Sequence, residues 1–176
     1  MRKRHVLMVQ LVLLAGAFTT QGFAQAKLGY VDSQQVLEKS TEGKKIIARL
    51  QEADRQNQAP IIKLDDDIRA LQSKLTTQRI TLSDEQIMSM TNDLDRMNTD
   101  RKRKAEDAYT SMNELRDRLF KTLHDELVLI VEQIGKEKGY DFIFDLGRSG
   151  AVYWNPAIDL TADVIKRYDA SKAIAK

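Results

Sequence analysis

The chain has 176 residues, 28 Lys and Arg against 26 Asp and Glu, a formal charge of +2 and no cysteine. That length suits one ordinary domain, or one domain with a long appendage, rather than two independent cores. The lack of cysteine excludes a disulfide framework, a thiolate zinc site, a cysteine nucleophile and an N-terminal lipidated cysteine, and two histidines leave little for metal chemistry.

Residues 1–26 read as a secretory signal. Arg2, Lys3 and Arg4 form a basic start, and residues 6–18 form an apolar stretch interrupted only by Gln10. That stretch falls well short of the ~20 residues that span a bilayer. Ala24-Gln25-Ala26 fits an A-x-A cleavage pattern that would free a chain beginning at Lys27, whereas Gly22-Phe23-Ala24 would place the cut before Gln25. Cleavage near Ala26 takes away three basic residues and no acidic one, so 28 against 26 becomes 25 against 26. The apparent basicity thus belongs to the signal, and the product is expected to be soluble in a bacterial periplasm.

Lys27-Leu28-Gly29-Tyr30-Val31-Asp32 predicts a short strand, followed by a small helix over 33–38. Residues 44–134 then contain no glycine and a single proline, Pro60. Within them Ile46, Leu50, Ala53, Asn57, Ile61, Leu64 and Ile68 recur at spacings of three and four. Ile87, Met90, Leu94, Met97, Arg101, Ala105, Ala108, Met112 and Leu115 do the same, the mark of helices that share an apolar seam. Between the two series, Ser83-Asp84-Glu85-Gln86 matches a capping box, with Leu82 and Ile87 spaced as a hydrophobic staple. A second helix therefore starts near Asp84, and the tip of an antiparallel hairpin lies near 80–84. Legs of ~40 residues would extend ~60 Å. The pairing sets Leu64 opposite Asp100 and Ile46 opposite Leu119. It also sets Asn57 and Pro60 opposite Arg101, Lys104 and Ala105, where a helix-interior proline predicts a kink or break.

Beyond the hairpin, Gly139 suits a left-handed helix cap. Phe142-Ile143-Phe144 and Ala151-Val152-Tyr153-Trp154 flank Gly147-Arg148-Ser149-Gly150 as strand, turn and strand, and a last helix begins at Thr161 with Ile165 and Tyr168 on its apolar side. The expected fold is α+β: a coiled-coil hairpin arm over 44–134 on a small body built from 27–43 and 135–176. Such a body, with three short strands and two short helices, is under ~70 residues and is expected to oligomerise, with Tyr30, Phe142, Phe144, Tyr153 and Trp154 holding subunits together.

Catalytic or cofactor chemistry finds no pattern. His124 adjoins a seam residue without convergent partners and reads as solvated. Asp65-Asp66-Asp67 lacks the alternation and glycine turn of a cation loop and reads as a charged outer face. Glu42-Gly43-Lys44-Lys45 lacks the spacing of a phosphate-binding loop. Arg101-Lys102-Arg103-Lys104 is the dense basic cluster of the exported chain, a candidate for weak contact with anionic lipid headgroups, although Asp100, Glu106 and Asp107 flank it. An exported protein is not expected to meet nucleic acid. Ile47, Ile62, Ile80 and Met88 lie off the strict seam and are candidates for apolar contact with a client, since flexible apolar surface suits a binder of unfolded chains.

These residues resemble the Skp/OmpH family of periplasmic chaperones. The likeness rests on the Ala-Gln-Ala signal end, Lys27-Leu28-Gly29-Tyr30-Val31-Asp32, Glu42-Gly43-Lys44-Lys45 at the start of the hairpin, Tyr140-Asp141-Phe142-Ile143-Phe144-Asp145, and Asp159-Leu160-Thr161-Ala162-Asp163-Val164-Ile165. The resemblance implies a homotrimer whose arms enclose unfolded outer-membrane β-barrel proteins and hold them without ATP. A coiled-coil spacer that docks one folded partner through its tip, residues 78–86, is the competing reading.

Overall fold

The computed structural model describes residues 25–174. The export signal therefore falls almost wholly outside the described residues. Within them the order is β1 (Leu28–Val31), α1 (Ser33–Lys39), α2 (Thr41–Gln78), α3 (Asp84–Lys138), β2 (Phe142–Asp145), a 3-10 turn (Pro156–Ile158) and α4 (Thr161–Ile174). The architecture is mostly helical, a long two-helix arm on a small base with a two-stranded sheet.

Local capping chemistry defines the helix starts. Asp32 caps α1 by accepting from the Gln35 N–H at 3.0 Å, and its own N–H donates to Thr161 Oγ1 at 3.0 Å, so one residue ties the end of β1 to the start of α4. Fully buried Ser40 caps α2 by accepting from the Gly43 N–H at 3.0 Å, while the Thr41 N–H donates to Asp169 Oδ1 at 2.8 Å. At the tip the capping box forms in full, with the Ser83 and Gln86 side chains each accepting from the other's backbone N–H. Gly139 ends α3 at φ 66°, ψ 45°, the left-handed conformation that glycine adopts at least cost.

At ~1.5 Å per residue the 38 residues of α2 run ~57 Å and the 55 of α3 run ~80 Å, so α3 reaches past the arm into the base. There β1 and β2 pair in parallel, with Leu28 opposite Phe142 and Val31 opposite Asp145. A parallel pair needs a long crossover, and here the crossover is the entire arm. The core gathers Val31, Val36, Ile46, Leu123, Leu127, Ile130, Ile134, Leu160, Val164 and Tyr168, one contribution or more from each helix and from β1. Helix α4 is clipped to α3 by side chains. The fully buried Tyr168 donates its hydroxyl to Glu126 Oε2 at 2.8 Å, Lys172 donates to the other oxygen at 2.5 Å, Arg167 pairs with Glu137 at 2.6 Å and Lys138 with Asp163 at 2.7 Å. Burial, and then the neighbouring Glu126 carboxylate, push the Tyr168 phenol well above its usual range, while the Lys138 hydrogen bond holds the Asp163 carboxyl below its own.

Two expectations are corrected. Of the kink or break expected at Pro60, the break does not occur: helix α2 is continuous there. Pro60 and Gln56, whose carbonyl loses its intrahelical donor, are both exposed residues, while Ile61 one residue on is buried in the seam. Residues 151–154 form no strand: Val152 and Tyr153 are 97% and 86% exposed. As a hairpin they would pair with β2, whose outer edge stays open; instead the chain crosses to the β1 side, where Trp154 packs on Tyr30, Asp159 bridges Tyr30 in parallel and the Leu160 N–H donates to the Tyr30 carbonyl at 2.9 Å. Tertiary packing overrides the strand propensity of these residues.

A Cβ added at Gly43 would lie 2.1 Å from the Leu37 carbonyl oxygen, so α1 and α2 approach too closely for any side chain there. Gly43→Ala is therefore expected to destabilise the base by about 1–3 kcal/mol in thermal unfolding. Tyr168→Phe, which keeps the packing but removes the bond to Glu126, is expected to cost about 1 kcal/mol. Because the Asp163 carboxyl is depressed in the folded state, its contribution is complete above the usual aspartate value of 3.8 and is lost as pH falls through the lower folded value, so Asp163→Asn is expected to flatten the acid limb of the stability curve.

Candidate functional site: the uncovered faces of base and arm

Strand β2 alternates. Ile143 turns inward against the core, while Phe142 and Phe144 turn outward and are 61% and 46% exposed. Their rings stack with centroids 6.1 Å apart and planes 14° from parallel, and no third strand flanks β2 among the described residues. On the other side of the sheet edge, Tyr30 is buried and takes Trp154 edge-on at 6.3 Å. Burial and then the nearby Asp159 carboxylate raise the Tyr30 phenol. A groove of about 370 Å³ lies beside this pair, lined among others by Leu28, Phe144, Tyr153 and Ile158. Of the five aromatic residues singled out in the sequence, then, Tyr30 belongs to the interior of its own chain, Trp154 leans on it, and Phe142, Phe144 and Tyr153 are presented outward.

The arm buries little. Ile46, Ile61 and Ile68 on α2 and Leu123 at the foot of α3 are buried, but Leu64, Leu71, Leu75, Ile87, Met90, Leu94 and Met97 are only half-buried, since two helices cover one side of each seam residue. Of the off-seam residues, Ile47 is half-buried near the base, whereas Ile62, Ile80 and Met88 are 55%, 100% and 67% exposed. They are not gathered at one point: Ile62 lies midway along α2, Ile80 at the tip and Met88 one turn into α3. Sequence reasoning missed Tyr109, 72% exposed, and Leu129, 62% exposed. The off-seam rule that picked out Ile62 and Met88 selects both of these as well.

The basic cluster does not converge. Arg101 reaches across the hairpin to Asp65 with two hydrogen bonds, 2.7 Å from Nε and 3.3 Å from Nη2, and this is the one ion pair between the two legs among the described residues. Arg103 pairs with Asp100 and Lys102 with Glu106, which leaves Lys104 without a carboxylate partner among the described residues. The Arg101 hydrogen bond holds the Asp65 carboxyl below its usual range. Asp65 thus faces the partner leg rather than forming part of an outer charged face; Asp66 pairs with Arg69 on its own helix. His124 is exposed beside a groove that also takes in Leu127, Val128 and Phe144. Among the described residues no three His, Cys, Asp or Glu side chains are placed to hold a metal ion, and no helix is long and apolar enough to cross a membrane.

The model of the family described as outer membrane protein (OmpH-like) matches residues 27–168, most of the chain. Among solved structures, one from Caulobacter crescentus CB15, described as an outer membrane chaperone (OmpH-like), superposes with a TM-score of 0.71 at 19% identity over 85% of this chain and 88% of that one. At that identity the likeness carries the fold. A search of curated proteins finds no match.

Proposed function

The chain belongs to the OmpH-like outer membrane protein family, and on that premise we propose that it is an ATP-independent periplasmic holdase for unfolded outer-membrane β-barrel proteins. The observation that carries this reading is the distribution of apolar surface. Ile62, Ile80, Met88, Tyr109 and Leu129 are exposed at intervals along an arm ~60 Å long. Scattered, weak and exchangeable contacts of this kind suit a partner without fixed shape. Several arms around one space would add effective concentration without tight local binding.

Assembly follows from the base in the same reading. Residues 27–43 and 135–176 would form the oligomerisation body and 44–134 the arm, with three copies meeting through Phe142, Phe144, Tyr153 and Trp154. Uncovered aromatic surface beside an unflanked strand is costly in water and is relieved by association. Export to the periplasm rests on the signal pattern of residues 1–26. Mixed charge on the arm, with the cations at 101–103 paired, makes apolar contact rather than electrostatic capture the basis of client binding. The spacer reading draws on a single observation, the complete exposure of Ile80 at the tip.

At a stoichiometric ratio, the exported chain is expected to suppress aggregation of a β-barrel protein diluted from urea, and light scattering should give a trimer that gains one client mass. Capture of a single folded partner through the tip, with no effect on aggregation, would establish the spacer instead. Replacing Phe142 and Phe144 together by Ser is expected to lower the native mass towards that of the monomer while leaving helicity intact, because both rings are outside the monomer core. Ile62→Ser with Met88→Ser is expected to leave the mass unchanged and weaken client retention.

A further inference from the structure

Partway along the arm a half-open groove of about 410 Å³ lies between the two legs. Ile61 from α2 and Ala105, Ala108, Tyr109, Met112 and Arg116 from α3 line it, together with the polar Asp54, Asn57, Gln58 and Arg101. The gap has a local cause. Seam positions that elsewhere carry Leu, Ile or Met are Asn57, Ala105 and Ala108 here, and Pro60 lies one turn from Asn57. At its tip-ward end Arg101, part of the lining, pairs across the hairpin with Asp65.

Resting on the holdase reading, we propose that this cleft is a receptor for one aromatic side chain of the unfolded chain held along the arm. A side chain seated in this groove would cover apolar surface of Ala105, Ala108 and Met112 that otherwise meets water. The lining is chosen for a π system rather than an aliphatic group. The Tyr109 ring, 72% exposed, can pack edge-to-face, the Met112 thioether favours ring edges, and the Arg116 guanidinium, which has no ion-pair partner among the described residues, favours ring faces. These three residues follow one another along one face of α3, while Ile61, Ala105 and Ala108 supply contact area. Size agrees: an apolar cavity of roughly 150 Å³ suffices for benzene, so an indole fits here with room to spare. Strands of outer-membrane barrels carry aromatic residues at both membrane interfaces, so such a client presents suitable groups at intervals along its length.

The test uses the full exported chain, with ¹³C-methyl labels on Met and Ala, and two unstructured peptides that differ only in a central Trp or Leu. The Trp peptide is expected to shift the Met112, Ala105 and Ala108 methyl signals by ring current and to bind about two- to tenfold more tightly than the Leu peptide. Ala108→Leu fills the cleft and should raise the unfolding midpoint by about 2–4 °C while abolishing the Trp preference, opposite signs that a plain packing gap would not produce. Tyr109→Leu, on the exposed rim, should keep the fold and reduce the preference, and it decides the matter if Ala108→Leu does not fold. Equal affinity for the two peptides, or a Trp preference untouched by either substitution, overturns the proposal. Suppression of β-barrel aggregation by the unsubstituted chain, measured alongside, reports on the holdase reading separately.

Discussion

The pairing of β1 with β2 is the constraint on which the rest depends. Leu28 meets Phe142 only after the chain has travelled out along α2 and back along α3, so a four-residue parallel ladder closes a loop of more than a hundred residues. Closing a flexible loop of that length carries an entropic cost, but the cost grows only slowly with length, and two stiff helices folded back on each other remove much of it in advance. The hairpin therefore brings the two ends together and the ends in turn hold the foot of the hairpin. Val31, Ile46, Leu127, Ile134 and Val164 form one cluster because each element supplies a single apolar face and none can bury it alone.

The arm shows the opposite economy of contacts. A helix pair buries one stripe per helix, and the other faces meet solvent whatever their composition. Its charged surface is laced with i,i+3 and i,i+4 pairs such as Glu52–Arg55 and Asp93–Arg96, which keep the rod soluble and contribute little to its stability. Solubility from paired charge and scattered exposed apolar groups can therefore coexist on one rod, which is the physical basis of the holdase reading.

Much of the architecture was legible because its determinants are local. The capping box at Ser83, the left-handed glycine at 139, the start of α4 at Thr161 and the apolar series at spacings of three and four each act within a turn or two of chain. The antiparallel register was legible too, since a hairpin with one known tip leaves little freedom: Asp65 beside Arg101 and Ile46 beside Leu119 agree with it. The candidate contact residues on the arm are visible as departures from the seam, and the same departure marks Tyr109 and Leu129 further along α3.

By itself, then, the sequence determined where α3 and α4 begin, that α3 ends at Gly139, which stripe of each leg is apolar, and that both termini carry the aromatic material of a base. Those properties depend on backbone capping and periodicity, which neighbouring residues settle among themselves. Only the tertiary structure decided that Ala151-Val152-Tyr153-Trp154 leaves the open edge of β2 unpaired and crosses to the β1 side, where Trp154 packs on Tyr30. Only there does Asp65 turn towards Arg101, Pro60 sit without a break, and a cleft open opposite Ala105 and Ala108. In each case the outcome rests on whether a partner stands within reach in space, and spacing along one chain carries no record of that.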